Sequence, residues 1–219
     1  MARSAAGPNP SVMSSAPGWF GKIASLGDFA SRRLPPGAVQ VCDRWLSDSV
    51  SYSRAQLGDN WLQAYLSAPV WRFAWAPQVV DGQWWFGVLM PSCDKVGRYF
   101  PLLVAQSRPA PPAGRDAQDH LELWWTQVAR AALQTLDEDS DLPAFEQALA
   151  ALAPWPAAGQ AEPAGDATVV DLGGGMSWAG LQGHSVWWPW RPLGAVAPRR
   201  VVPGLPAPAL FAGMLSTAV

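Results

Sequence analysis

From Gly18 onward the chain switches between two hydrophobic periods. Trp19-Phe20-Gly21-Lys22-Ile23 is a short, largely apolar run that predicts a strand, and Ser25-Leu26-Gly27-Asp28-Phe29 predicts a turn leading away from it. Pro35-Pro36-Gly37 then opens a helix. Val39, Cys42, Leu46, Val50, Ser53 and Leu57 recur every three to four positions, with Trp45 alongside, so one stripe faces the core. Gly58 ends this helix, and Asp59 or Asn60 is placed to cap a short helix over 61–67. The period then shortens. Residues 70–76, 84–90 and 99–106 are runs rich in Val, Trp, Phe and Leu, bounded by Pro, Gly or Asp, and read as strands. Asp81-Gly82 is a hairpin signal between the first two. Short connections throughout predict an antiparallel meander, since a parallel pair needs a crossover of about a dozen residues.

Beyond the Pro-rich break at 109–114, a long helix is expected from about Asp116, with Leu121, Trp124, Trp125, Val128, Ala132 and Leu136 on one face. Asp116 and Asp119 lie near its start, where the helix dipole favours negative charge. A second helix carries Leu142, Phe145, Leu149 and Leu152, with Pro143 in its first turn. Thr168–Leu172 and Ser185–Trp188 are candidate final strands, and Ala207–Leu215 a closing helix. Segregated runs of strands and helices predict an α+β domain: a single, largely antiparallel sheet of about five to six strands with helices packed on its faces. The expected organisation is a disordered tail over 1–17 and one domain over 18–219, with a flexible Pro/Ala/Gly-rich connection at about 154–166.

Composition narrows the function. The 219 residues are 49% hydrophobic and only 15% charged, which argues against a wholly disordered chain. A net charge of −2 offers no electrostatic case for nucleic acid. Residues 1–17 have no apolar stretch of signal-peptide length, and no later run has the ~18 apolar residues of a membrane span, so a cytoplasmic protein without membrane insertion is expected. The 14 Trp imply a core of large rigid side chains or, for some of Trp84, Trp85, Trp187, Trp188 and Trp190, aromatic anchors at an interface. Trp84/Trp85 and Trp187/Trp188 are adjacent in strands and so put one ring on each face of the sheet.

Several apparent catalytic motifs fail on inspection. Gly173-Gly174-Gly175 lacks the third glycine of a dinucleotide loop, since position 178 is Trp178. Gly183-His184-Ser185-Val186-Trp187 resembles a nucleophile elbow with Trp187 where the last glycine belongs. Asp137-Glu138-Asp139-Ser140-Asp141 spaces oxygens like a calcium loop, but Leu142 replaces the turn glycine and Ala148 the bidentate Glu. His120 and His184 are the only histidines, and they do not form a zinc spacing. The expectation is a protein that is not an enzyme and has no cofactor or metal. The alternative from another class is a hydrolase or phosphatase using Ser185 or the Asp28 and Asp94 carboxylates.

Two clusters are less ordinary. One runs from Gly21 to Phe29 with Arg32 and Arg33 beyond; the other runs from Met90 to Pro101. Lys22, Ser25, Asp28, Arg32, Arg33, Asp94 and Arg98 are the candidate residues, either tying loops together through ion pairs or forming a partner-binding surface. At these clusters the chain resembles the type VI secretion system-associated protein TagF family. The resemblance runs from GWFGKIASLGDFASRRLP at 18–35 through Asp43-Arg44-Trp45-Leu46, Ser53–Gly58 and Ala68–Phe73 to Gly87–Ser92 with Asp94. Val96-Gly97-Arg98, Phe100-Pro101-Leu102, Ser185–Trp188 and Gly204-Leu205-Pro206 continue it. The resemblance implies a cytoplasmic, non-enzymatic, posttranslational repressor of assembly or firing of the secretion apparatus, acting by protein–protein binding. It also implies a partner within that machinery, a forkhead-associated scaffold protein being one reported type. Some relatives are fused to a phosphatase domain, for which a chain ending at Val219 is expected to leave no room. A structural accessory component of the apparatus is the remaining alternative.

Overall fold

The computed structural model describes residues 16–137, 139–153, 177–191 and 199–216. Among them seven strands form one antiparallel sheet: β1 (Gly18–Gly21), β2 (Ala30–Arg32), β3 (Trp71–Trp75), β4 (Trp84–Met90), β5 (Leu102–Arg108), β6 (His184–Pro189) and β7 (Arg200–Pro203). Their order across the sheet is β2-β1-β5-β4-β3-β6-β7. The β3-β4-β5 meander is present as expected, β1 pairs with β5, and β6 with β3. The sheet exceeds the expected five to six strands because β2 and β7 close its two edges. Both edge strands are short and largely exposed, so neither has the apolar run that marks a strand in sequence. The candidate strand at Thr168–Leu172 and the connection at 154–166 lie outside the described residues.

Among the described residues five helices cover the two faces: α1 (Pro36–Leu57), α2 (Trp61–Ser67), α3 (Gly114–Gln134), α4 (Leu142–Ala150) and α5 (Pro208–Leu215). The period-2 alternation of each strand sorts its side chains into two cores. Trp19, Trp84, Phe86, Val104 and Trp188 pack with Leu121, Trp125 and Val128 of α3 and Phe145 and Leu149 of α4. Phe20, Trp71, Phe73, Trp75, Trp85, Leu103 and Trp187 pack on the other face with Cys42, Trp45 and Leu46 of α1, Tyr65 of α2 and Phe211 of α5. Each adjacent Trp pair therefore straddles the sheet. Trp84, Trp85, Trp187 and Trp188 are all buried, and only Trp190 of that set is half-exposed.

Local signals differ from expectation at two helix ends. A 3-10 turn over Gly58–Asn60 runs directly into α2; Asn60 has helical backbone angles, and neither it nor Asp59 caps that helix. Leu136 falls two residues beyond α3 and is exposed, not part of the buried face. The acidic loop before α4 has a structural use: the Asp141 side chain accepts a hydrogen bond from the Ala144 backbone N–H and caps the helix.

Candidate functional site

Both candidate loops leave the sheet at one end, where β1 stops at Gly21, β4 stops at Met90 and β5 begins at Leu102. Gly21 makes this junction possible. Its φ of +133° is a region L side chains rarely adopt, and a Cβ there would lie 2.1 Å from the Pro101 carbonyl oxygen. Lys22, the next residue, is turned inward and donates to Asp94 Oδ2 at 2.7 Å, an ion pair with almost no solvent exposure on either side chain. Arg98 Nε reaches the same Asp94 oxygen at 2.7 Å, while the backbone N–H groups of Val96 and Arg98 donate to Oδ1. Burial by itself pushes the Asp94 carboxyl up. The bonds from Lys22, Arg98 and Val96 outweigh that, and hold it well below the usual carboxylate range.

The two loops are thereby fastened together. Arg98 Nη2 donates to the Gly27 carbonyl at 2.6 Å and stands 4.0 Å from Asp28, and the Lys95 N–H donates to the Leu26 carbonyl. Ser92 Oγ donates to the Lys22 carbonyl. The Tyr65 hydroxyl, from α2, both donates to the Ser92 carbonyl and accepts from the Ser92 N–H, each at 2.9 Å. Phe29 stacks on Phe20, meets Phe100 edge-on and lies 4.8 Å from the Lys22 ammonium, yet 47% of its surface stays in solvent. Lys22, Asp28, Asp94 and Arg98 are thus one assembly. Ser25 is exposed on the same loop.

Arg32 and Arg33 belong to a different assembly. Arg33, at φ +61°, donates to Glu146 of α4 at 2.5 Å and to the Pro17 carbonyl at 2.9 Å; Arg32 stands 3.9 Å from Glu146. Trp19 Nε1 donates to the same carboxylate at 2.6 Å. Burial raises the Glu146 carboxyl, but the bonds from Arg33 and Trp19 and the charges of Arg33 and Arg32 lower it overall. Glu146 lies 113 residues from Arg33, so its role had no local sequence signal.

At the loop end, the outer side of residues 91–99 meets an open apolar pocket of about 300 Å³. Leu66 closes it from α2, Leu136 from the end of α3, Trp190 from the end of β6, and Cys93 and Tyr99 from the loop. Leu66 is 60% exposed and Val96, at the loop tip, 65%. The sequence signal that could have found this pocket is Leu66, an apolar residue of α2 that lies off the stripe of the buried Trp61 and Tyr65.

The remaining candidates are placed differently. Ser185 is fully buried; its hydroxyl donates to the Gly204 carbonyl and accepts from Trp187 Nε1. The His184 ring contacts the Gln182 carbonyl, and among the described residues no histidine pairs with Asp28 or Asp94. No group of three or more His, Cys, Asp or Glu side chains is placed to hold a metal ion among the described residues. No helix among them is long and apolar enough to cross a membrane.

Fold and site together define an α+β domain with both sheet faces filled by helices and its loops locked into an apolar and charged surface at one end. Residues 18–152 match the family model described as the TagF N-terminal domain, type VI secretion system-associated, and the chain belongs to that family. It is also similar to the crystal structure of PA0076 from Pseudomonas aeruginosa PAO1, with 35% identity, a TM-score of 0.70, and coverage of 92% of this chain and 94% of that one. No curated protein matches the chain.

Proposed function

We propose that this protein is a non-enzymatic, cytoplasmic regulator of type VI secretion, a posttranslational repressor that restrains assembly or firing of the apparatus by binding one of its proteins. The observation that carries this reading is the end of the sheet built by the family's own motif loops. There Lys22, Asp94 and Arg98 fasten the loops to each other, Phe29 and Val96 are left facing solvent on those loops, and Leu66 stands exposed at an open apolar pocket beside them. Such a surface suits recognition, which uses rigid aromatic and aliphatic anchors with charged groups at the rim. A forkhead-associated scaffold protein is the partner this reading favours; nucleic acid and membrane insertion have no part in it.

Removal of the protein from its host is expected to raise secretion of a type VI effector into the medium, and overproduction to suppress it, without a change in the amounts of the apparatus proteins. Immunoblots of secreted and cellular fractions measure both. Secretion unaltered by both manipulations overturns the proposal.

A further inference from the structure

The apolar pocket and the charged loop share a wall. Cys93 and Tyr99 both line the pocket and face each other as an isolated antiparallel bridge, which makes 94–98 the tip of the loop just beyond it. That tip carries two cations. The Lys95 stem lies against Gly27, and its ammonium has no acidic partner among the described residues. Arg98 is held by Asp94 and the Gly27 carbonyl with 57% of its side chain in solvent. On the far side of the pocket Arg191 follows Trp190, and its Nε is buried without a hydrogen-bond acceptor. The Lys22–Asp94 pair is internally neutral.

A line drawn across the end of the sheet, in the order of its strands, therefore meets the loop of Lys95 and Arg98, then the apolar pocket, then the chain at Arg191, two residues past β6. Acidic groups border it elsewhere: Asp28 beside Arg98, and Asp137 and Asp139 on the α3 side. In a chain of net charge −2, this cation–apolar–cation strip is the inverse of the molecule as a whole. Asp137 and Asp139 repel an acidic segment that approaches along α3 and favour one lying along the strip. From this complementarity we propose that the pocket receives a large apolar side chain, of the Leu or Trp type, from a partner protein segment with acidic residues on both flanks. The anchor fills the space between Leu66, Leu136 and Trp190, and the flanking carboxylates meet Lys95 and Arg98 on one side and Arg191 on the other. The inference rests on the regulator reading and names the surface and partner chemistry it would use.

The test uses the full chain and three fluorescein-labelled peptides with matched lengths: Leu-Trp flanked by Glu, Leu-Trp flanked by Lys, and Ala-Ala flanked by Glu. Fluorescence anisotropy is expected to show the Glu-flanked Leu-Trp peptide binding at least about tenfold more tightly than either of the others, with affinity falling as salt is raised. Leu66→Asp and Leu136→Asp, at exposed positions where the core is not disturbed, are expected to weaken binding about tenfold or more, and Lys95→Glu a few-fold. Bound peptide is also expected to slow alkylation of Cys93 in the pocket wall. Equal affinity for the Glu- and Lys-flanked peptides, or undiminished binding by Leu66→Asp, overturns the proposal. In the host, a Leu66→Asp/Leu136→Asp protein that still represses secretion overturns this surface and leaves the regulator reading standing. A wild-type protein without effect on secretion overturns the reading itself.

Discussion

Asp94 accepts four hydrogen bonds, two of them from cations, in a place where its side chain is closed to solvent. A buried ion pair recovers its desolvation cost only when such additional bonds satisfy the remaining lone pairs, and here they do. The carboxyl is held below its ordinary value in the folded state, whereas the unfolded chain returns it to about 3.9. The unfolded state thus binds the proton more readily, and the stabilisation is complete above that unfolded value and is lost as pH falls toward the folded one. Asp94→Asn keeps oxygen available to the Val96 and Arg98 N–H groups but leaves the Lys22 ammonium buried without a counter-charge. Thermal melts are expected to place this variant below wild type at pH 7, with the gap closing as pH drops from about 4 toward 2. Glu146 also has a lowered carboxyl and adds acid sensitivity common to both proteins, so the difference between them isolates Asp94. A gap independent of pH contradicts the assignment. The residue types of this site were legible from their place in turns beside apolar runs. Their pairing was not, because Lys22 and Asp94 are 72 residues apart and Arg33 and Glu146 are 113 apart; the pairing of β1, β4 and β5 brings the first two together, and the packing of α4 on the sheet the second two.

At the level of elements, β4 shows why the sheet is closely filled. Its residues are buried on both faces, and Gly87 is its one position without a side chain. The Phe73 ring of β3 takes the space: a Cβ on Gly87 would lie 2.6 Å from Phe73 Cζ and 2.1 Å from the Val104 carbonyl oxygen of β5. Neither neighbour yields cheaply, since Val104 is backbone within the β4–β5 ladder and Phe73 stacks on Trp75 with centroids 4.1 Å apart. Gly87→Ala is therefore expected to lower stability by roughly 1–3 kcal/mol, the range for overpacking a filled core. Chemical denaturation measures it, and a neutral or stabilising result means that the two strands relax at this point. The same physics decided what sequence could reveal. β3 and β4 announced themselves because burial on both faces demands a nearly continuous apolar run, and α1 because burial of one face demands apolar residues at a helical period. β2 and β7 are exposed edges of three and four residues, where polar Ser31, Arg32 and Arg200 cost nothing, so their pairing left no periodic trace.

Across the whole molecule, the seven strands are a shared wall between two cores, which among the described residues form separate clusters on its two faces. Leu46 of α1 and Leu121 of α3 are fully buried on opposite sides of it. If each helical layer were an independent unit, removing side chains from one would leave the other's unfolding unchanged. The sheet forbids this, because every central strand contributes alternate residues to both cores: Phe86 and Val88 of β4 to one, Trp85 and Leu89 to the other. Loss of either layer exposes one face of every central strand. Leu46→Ala and Leu121→Ala are each expected to cost about 2–5 kcal/mol, as for other leucines cut back in filled cores. Both should shift one common transition, with Trp fluorescence and far-ultraviolet circular dichroism coincident. Separated by the thickness of the sheet and sharing no partner side chains, the two losses should add in the double variant to within about 0.5 kcal/mol. Two resolved transitions in either single variant would show that a layer unfolds alone, and a sheet stripped on one face would then have to persist in water with Trp71, Trp75 and Trp187, or Trp84, Trp125 and Trp188, uncovered.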